Sequence, residues 1–201
     1  MVNDTSDRPR LTPKGARTRA RIVEAAAALI HARGVAGTTL EDVKVAAGVS
    51  GSQMYHYFPD KNELVQAVID YQAENIVKRN AHALARSNGV EAWREMVIAA
   101  ARRTQAKGGC QLGSLGGQLA ESDPEARALI AAGFDQWASA LSDGLRPLQT
   151  GGKLPADVNP DDLATTLLAT LEGGLLLAQV QRDIRPFETA VNTLLALALD
   201  G

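Results

Sequence analysis

The chain of 201 residues is 45% hydrophobic but only 4% aromatic, and its formal net charge is −2. Its length fits one medium domain or a small domain joined to a larger one, and a core so poor in rings must be built from Ala, Leu and Val, which points to an all-α fold. The composition argues against a disulfide framework, because Cys110 is the single cysteine, against a secretory leader, because the first residues lack an apolar centre, and against a membrane span, because no run of about 18 apolar residues occurs. A cytoplasmic protein is the expectation.

Charge is unevenly placed along the chain. Residues 1–61 carry nine Lys/Arg against six Asp/Glu, whereas residues 62–201 carry twelve against seventeen. Arg8, Arg10, Lys14, Arg17, Arg19 and Arg21 all precede residue 22. Residues 1–15 are therefore expected to form a flexible basic arm suited to a polyanion, with a merely solvated tail as the alternative. The first helix is predicted over 16–33, where Ile22, Ala25, Ala26, Leu29 and Ile30 recur at helical spacing before Gly34. Thr39, followed three residues later by Asp42, predicts an N-cap for a short helix over 40–47, and Gly48 is placed to end it in a left-handed turn. Ser50 caps the next helix, which runs to about Phe58 before Pro59. Asp60, with Glu63 three positions on, starts a longer helix to about Arg79.

Two short helices joined by a tight glycine turn and flanked by longer ones form a helix-turn-helix, whose second helix enters the DNA major groove. This explains "MYHYF", where three of the chain's eight aromatic residues fall within four positions. Met54 and Phe58 share an inner face. Ser50, Ser52, Gln53, Tyr55 and His56 are turned to bases and phosphates, and helix N-termini add affinity for phosphate. The segment "TTLEDVKVAAGVSGSQMYHYFPDKNELVQAVI" resembles the DNA-binding region of the TetR family of transcriptional repressors, closely over residues 16–70. That resemblance implies an all-helical homodimer, with a reading head over 16–62 and a body over 63–201 that binds a small effector and dimerises. It also places Thr39, Ser50, Ser52, Gln53, Tyr55, His56 and Lys61 at DNA-contacting positions. Two positions depart from the family pattern. Gly51 stands where Lys or Arg is frequent, and Lys44 stands where a small residue is usual, its stem lying along the surface.

In the body, helices are predicted over 90–107, 112–121, 124–148, 160–182 and 186–199, with Pro124, Pro160 and Pro186 in first turns and a loop over 150–159. Leu163, Leu167, Leu171 and Leu175 form a stripe read either as core or as a dimer interface, with Gly173 and Gly174 admitting a close helix; the resemblance favours the interface. Trp93, Met96, Phe134 and Trp137 are assigned to the core, with cavity lining as the alternative. Together with Cys110 and Glu172 they are the candidate effector-pocket residues. Glu172, set among leucines and glycines, either reaches solvent or pairs with an Arg, or else meets a cationic or hydrogen-bonding effector.

The segment "KGGCQLGSLGG" has neither a phosphate-loop ending nor a nucleophile elbow. Cys110 packs as a small hydrophobe, or acts as a thiol sensor activated at a helix N-terminus beside Arg102, Arg103 and Lys107. His31, His56 and His82 form no ligand spacing, so neither a metal nor a cofactor is expected. The leading reading is a ligand-responsive regulator, a repressor released from a palindromic operator by a small effector. The alternatives are a small helical enzyme with Cys110 as nucleophile and His82 as base, which has no orienting group to support it, and a DNA-packaging protein, disfavoured by the acidic body.

Overall fold

The computed structural model describes residues 11–199. Among them, all regular structure is α-helical: α1 (Pro13–Arg33), α2 (Leu40–Ala47), α3 (Gly51–Tyr57), α4 (Lys61–Leu84), α5 (Gly89–Thr104), α6 (Gln111–Leu119), α7 (Pro124–Thr150), α8 (Pro160–Gln181) and α9 (Arg185–Leu199). The chain divides into two compact units, with the boundary between Val68 and Ile69 inside α4. The basic residues Arg8 and Arg10 lie outside the described residues. The rest of the expected arm is partly helical, because α1 starts three residues earlier than its apolar spacing predicts. Pro13 occupies the first helical turn, and the Thr12 hydroxyl accepts from the Gly15 amide at 3.1 Å, a start signal that does not depend on hydrophobic residues.

In the first unit, α1 packs on α2 and α2 on α3. Ile22, Ala26 and Ile30 of α1, Val43 and Ala47 of α2, and Met54 and Phe58 at α3 are all buried. The helix-turn-helix corner follows from Gly48, whose φ of 61° and ψ of 43° are left-handed. Such a corner strains any residue carrying a Cβ.

In the second unit, α7 packs on α8, α8 on α9, α6 on α7, and α5 on α9. Small residues let these helices approach closely where rings are scarce. A Cβ at Gly144 would sit 2.6 Å from the Leu84 side chain, and one at Gly174 would sit 3.0 Å from the Phe187 ring. Of the glycine pair on α8, Gly174 thus admits α9 of the same chain, while Gly173 faces open space. Helix α4 runs five residues beyond its expected end because tertiary contacts hold its last turns. Ala83 and Leu84 are buried, and Asn80 receives a 2.5 Å hydrogen bond from the Trp93 indole while donating to the Ile76 carbonyl. Helix α7 likewise continues past Pro147. Beyond it, the Gln149 side chain donates to the carbonyls of Pro155 and Val158 at 3.2 and 2.8 Å, which orders the loop expected over 150–159.

Helices α7 and α8 are also joined through Asp161, which accepts from Ser142 and, at 2.8 Å, from Arg146. Helix α8 is long and apolar enough, by composition alone, to cross a membrane. Its Asn159 cap, its Asp161 and Asp162 first turn and its buried leucines instead describe a core helix.

The Trp93–Asn80 pair is the polar contact on which the α4–α5 packing turns, since both side chains are buried. Asn80→Leu, which leaves the indole N–H unpaired, is expected to lower unfolding free energy by about 1–3 kcal/mol in urea titrations. An unchanged midpoint would show that the indole finds another acceptor.

Candidate nucleic-acid interface and effector site

The solvent face of α3 is the first site. Met54 and Phe58 are almost fully buried, contributing roughly 1.5–3 kcal/mol each, and they fix the helix's rotation. Tyr55, on the opposite side, is 61% exposed, and Ser52, Gln53 and His56 are exposed with it. The four aromatic side chains of the segment therefore do different work. Phe58 closes the core and lies 5.1 Å beneath the Arg19 guanidinium, a cation–π contact tying α3 to α1. Tyr57 meets the His56 ring edge-on at 4.9 Å. Its hydroxyl approaches Gly15, where a Cβ would come within 3.2 Å. Tyr55 and His56 are the exposed rings.

Two of the residues placed at DNA-contacting positions are also structural. The Thr39 hydroxyl donates to Asp42 at 2.6 Å and accepts from the Asp42 amide at 3.1 Å, while the Thr39 amide donates to the same carboxylate. The hydroxyl proton is thus already committed, and Thr39 is first of all the cap of α2. Ser50 and Gln53 form a second capping box, missed in the sequence reading although Ser-x-x-Gln is its signature. The Gln53 amide donates to Ser50 Oγ at 3.2 Å, and Gln53 Oε1 accepts from the Ser50 amide at 3.0 Å. Gln53 can therefore offer its side-chain NH2 to a base edge while its oxygen stays in the cap. Ser50 keeps its own hydroxyl proton for a phosphate. Lys61 opens α4 one residue after Asp60, whose side chain accepts from the Glu63 amide at 2.9 Å. Gly51 leaves open space where a side chain would project. Lys44 is held on the surface by Glu41 at 2.5 Å.

In the second unit the expected pocket residues separate. Trp93 is buried and is held in the core by its hydrogen bond to Asn80. Met96 and Phe134 are half-buried, and Phe134 stacks on Trp137 with centroids 6.5 Å apart. Trp137 is buried, and its indole N–H has no partner. Glu172 pairs with no Arg among the described residues. Its Oε1 is buried without a hydrogen bond, and its other oxygen presses on Gly113. Cys110 caps α6, accepting from the Gly113 amide at 3.4 Å, and the Glu172 carboxyl lies beside the same glycine. Burial, reinforced by the adjacent carboxyl, pushes the Cys110 thiol well above its ordinary range. Burial also raises Glu172. A thiol favoured in its neutral form is a poor nucleophile, which supports packing over activation by nearby cations. Of those cations, Arg102 is engaged by Glu188 at 2.6 Å, and Arg103 and Lys107 are exposed. Among the described residues no cluster of three His, Cys, Asp or Glu side chains is placed to hold a metal.

The leucine stripe also needs correction. Leu163, Leu167 and Leu171 are buried within the chain's own fold and Leu175 is half-buried, so they are not an outward face. The most apolar stripe of an apolar helix is the one its own core takes. The outward apolar side chains are Leu176, Leu177 and Val180 of α8, with Leu197 of α9; Val180 is 73% and Leu197 72% exposed.

The α2 cap yields a pH prediction. Hydrogen bonds from the Thr39 hydroxyl and then its amide, with Arg33 adding charge, hold the Asp42 carboxyl below its ordinary 3.8. A depressed folded pKa gives stability that is complete above the unfolded value and lost as pH falls through the folded one. Asp42→Asn should therefore lower the melting temperature at pH 7 and flatten its fall below about pH 4. Parallel acid profiles for the two proteins would refute this.

Comparison with known proteins agrees with this geometry. Residues 22–68 match the tetR family of bacterial regulatory proteins, and residues 84–194 match the tetracyclin repressor-like C-terminal domain. An uncharacterized HTH-type transcriptional regulator of Mycobacterium tuberculosis is 30% identical, with 85% of this chain and 88% of that protein covered. The HTH-type transcriptional repressor DhaR of Mycobacterium sp. (strain GP1) is 24% identical, with 85% and 86% covered. A TetR transcriptional regulator from Chloroflexus aurantiacus superposes with a TM-score of 0.77 at 29% identity, covering 91% of this chain and 94% of that one. The chain belongs to the TetR family, and is a helix-turn-helix DNA-binding transcriptional regulator rather than an enzyme.

Proposed function

We propose that the protein is a ligand-responsive repressor, a homodimer that holds a palindromic operator and releases it when a small effector binds the second unit. The observation that carries this reading is the division of α3, whose buried Met54 and Phe58 fix an outward row of Ser52, Gln53, Tyr55 and His56. In this reading the Tyr55 hydroxyl, Ser50 and Lys61 bind phosphates, the Gln53 NH2 reads a base edge, and Thr39 positions the N-terminus of α2. DhaR, a relative along most of its length, is named as a repressor, which supports that sign of regulation. The dimer is formed by the outward faces of α8 and α9 around Leu176, Leu177, Val180 and Leu197. An exposed apolar surface of this kind on an otherwise packed body is the mark of an association site. The open space at Gly173 permits close approach of a second copy.

Three sets of variants test this reading. Tyr55→Ala and Lys61→Ala are expected to weaken operator binding uniformly across sequences in anisotropy titrations. Gln53→Ala is expected to relax preference at one base pair by about 1–3 kcal/mol and to lower thermal stability, whereas Gln53→Glu retains the cap and the thermal stability but loses the base preference and, as a carboxylate facing DNA, weakens binding to all sequences. Unchanged operator binding in all of these would remove α3 as the reading helix.

Leu176→Asp with Val180→Asp should give folded monomers by light scattering and circular dichroism, without operator binding. Leu167→Asp should instead unfold the body. A persistent dimer in the double variant would place the interface elsewhere. The effector arm is tested by titrating the operator complex with a broad small-molecule panel. Failure of every compound to alter operator affinity would leave a constitutive DNA binder.

A further inference from the structure

The second unit contains two buried polar atoms that the chain itself leaves without partners, and they lie on elements that meet at one turn. Leu112 and Gly113 are consecutive in the first turn of α6. Gly113 is contacted by the Glu172 carboxyl of α8. The Leu112 side chain lies 3.2 Å from where a Cβ would stand on Gly133 of α7. Trp137 follows Gly133 by four residues, one turn along the same buried face of α7. Helices α7 and α8, which pack on each other, thus each carry one such atom close in the chain to residues that meet the first turn of α6: the acceptor Glu172 Oε1 on α8 and the donor Trp137 Nε1 on α7. Neither has a hydrogen bond.

Native interiors satisfy nearly all such groups, and the few exceptions call for an explanation. The surroundings of Glu172 are unusual for an acid. Its carboxyl lies beside Gly113 and Cys110 at the start of α6, and no ion pair reaches it among the described residues. The adjacent backbone is bare as well: Gly113 leaves room for the carboxyl, and Gly109, with φ of 61°, lies where a Cβ would come 2.7 Å from Gln179 Oε1. Gln179 is two turns beyond Glu172 on α8. A side chain on either glycine would displace these polar groups, so the glycines keep a carboxyl and a carboxamide against the α6 entrance.

Resting on the reading of this unit as an effector-binding body, we propose that Glu172 is the recognition group for the effector, and that the effector is a small organic ammonium carrying a hydrogen-bond acceptor. The ammonium N–H groups meet Glu172 Oε1, and the acceptor meets the Trp137 indole. A cation supplies what the chain withholds from this carboxyl, namely an opposite charge in a desolvated place, where a charge-assisted hydrogen bond is stronger than a neutral one. A neutral hydroxyl in the same position supplies only the weaker contact. Cys110, the cap of α6 at Gly113, packs beside this carboxyl, whose Oε1 is left for the ligand.

The test uses matched probes and the full chain. 2-Phenoxyethylamine and 2-phenoxyethanol share an aryl ether and differ in charge; the corresponding 2-naphthyloxy pair enlarges the ring. Calorimetry is expected to show each amine binding the wild type about tenfold or more tightly than its alcohol. Glu172→Gln, a neutral isostere, should abolish that preference while leaving alcohol affinity and melting temperature nearly unchanged. Trp137→Phe should weaken both members of each pair alike. Alcohols binding as well as amines, a preference that survives Glu172→Gln, or no binding by either pair would each overturn the assignment. The same probes are added to the operator complex. Release by alcohols and amines alike overturns the ammonium class and keeps the effector reading. Amine binding through Glu172 with no change in operator affinity keeps the site and refutes the effector reading.

Discussion

Helices of eight and seven residues do not persist alone in water, because the cost of nucleation is spread over too few hydrogen bonds. The reading surface therefore depends on what closes the free amides at the starts of α2 and α3. In both helices this is a reciprocal pair, Thr39 with Asp42 and Ser50 with Gln53. Each leaves the helix axis defined from its first turn, so that the two burying contacts of α3, Met54 and Phe58, suffice to set its rotation. Arg19 over the Phe58 ring then ties that setting to α1. The outward display of Tyr55 is a product of these inward and terminal constraints.

The second unit solves a different problem, the filling of an interior with few rings. Alanine, leucine and glycine bring backbones together, and the aromatic side chains that do occur are given hydrogen-bonding or stacking partners, as with Trp93 on Asn80 and Phe134 on Trp137. Against that closely fitted background the unpaired atoms of Glu172 and Trp137 stand out. Close packing makes a buried, unmatched carboxyl costly, and a binding partner able to offset that cost gains affinity from it.

Much of the architecture was legible from local chemistry. Caps at Thr39, Ser50, Asp123 and Asn159, the Gly48 turn and the Pro-led helix starts depend on neighbours a few residues away, and local patterns carry such information. The division of the "MYHYF" rings followed from helical spacing, and Met54 and Phe58 are buried as that spacing implied. Helix ends decided by distant contacts were not legible: α4 continues to Leu84 because Asn80 meets Trp93, thirteen residues on. Periodicity also cannot tell which apolar face of a helix is turned inward when more than one is apolar. Leu163, Leu167 and Leu171 made the stronger stripe and are core, leaving the less regular Leu176, Leu177 and Val180 outside. The state of the Cys110 thiol was not legible for a related reason, since burial and Glu172, sixty-two positions away, both bear on it.

The double duty of Gln53 bears on how the protein can change its operator. A residue that only touched DNA would be free to vary over the whole alphabet as binding sites drift. Here any replacement must also accept from the Ser50 amide, a demand met by very few side chains of suitable length. Retargeting through this position is thus confined to a narrow chemical choice unless a compensating change first stabilises α3. The route to a new binding site then passes through neighbouring positions such as Gly51, where added atoms meet no obstruction, and a regulator built this way diversifies by acquiring contacts before it exchanges them.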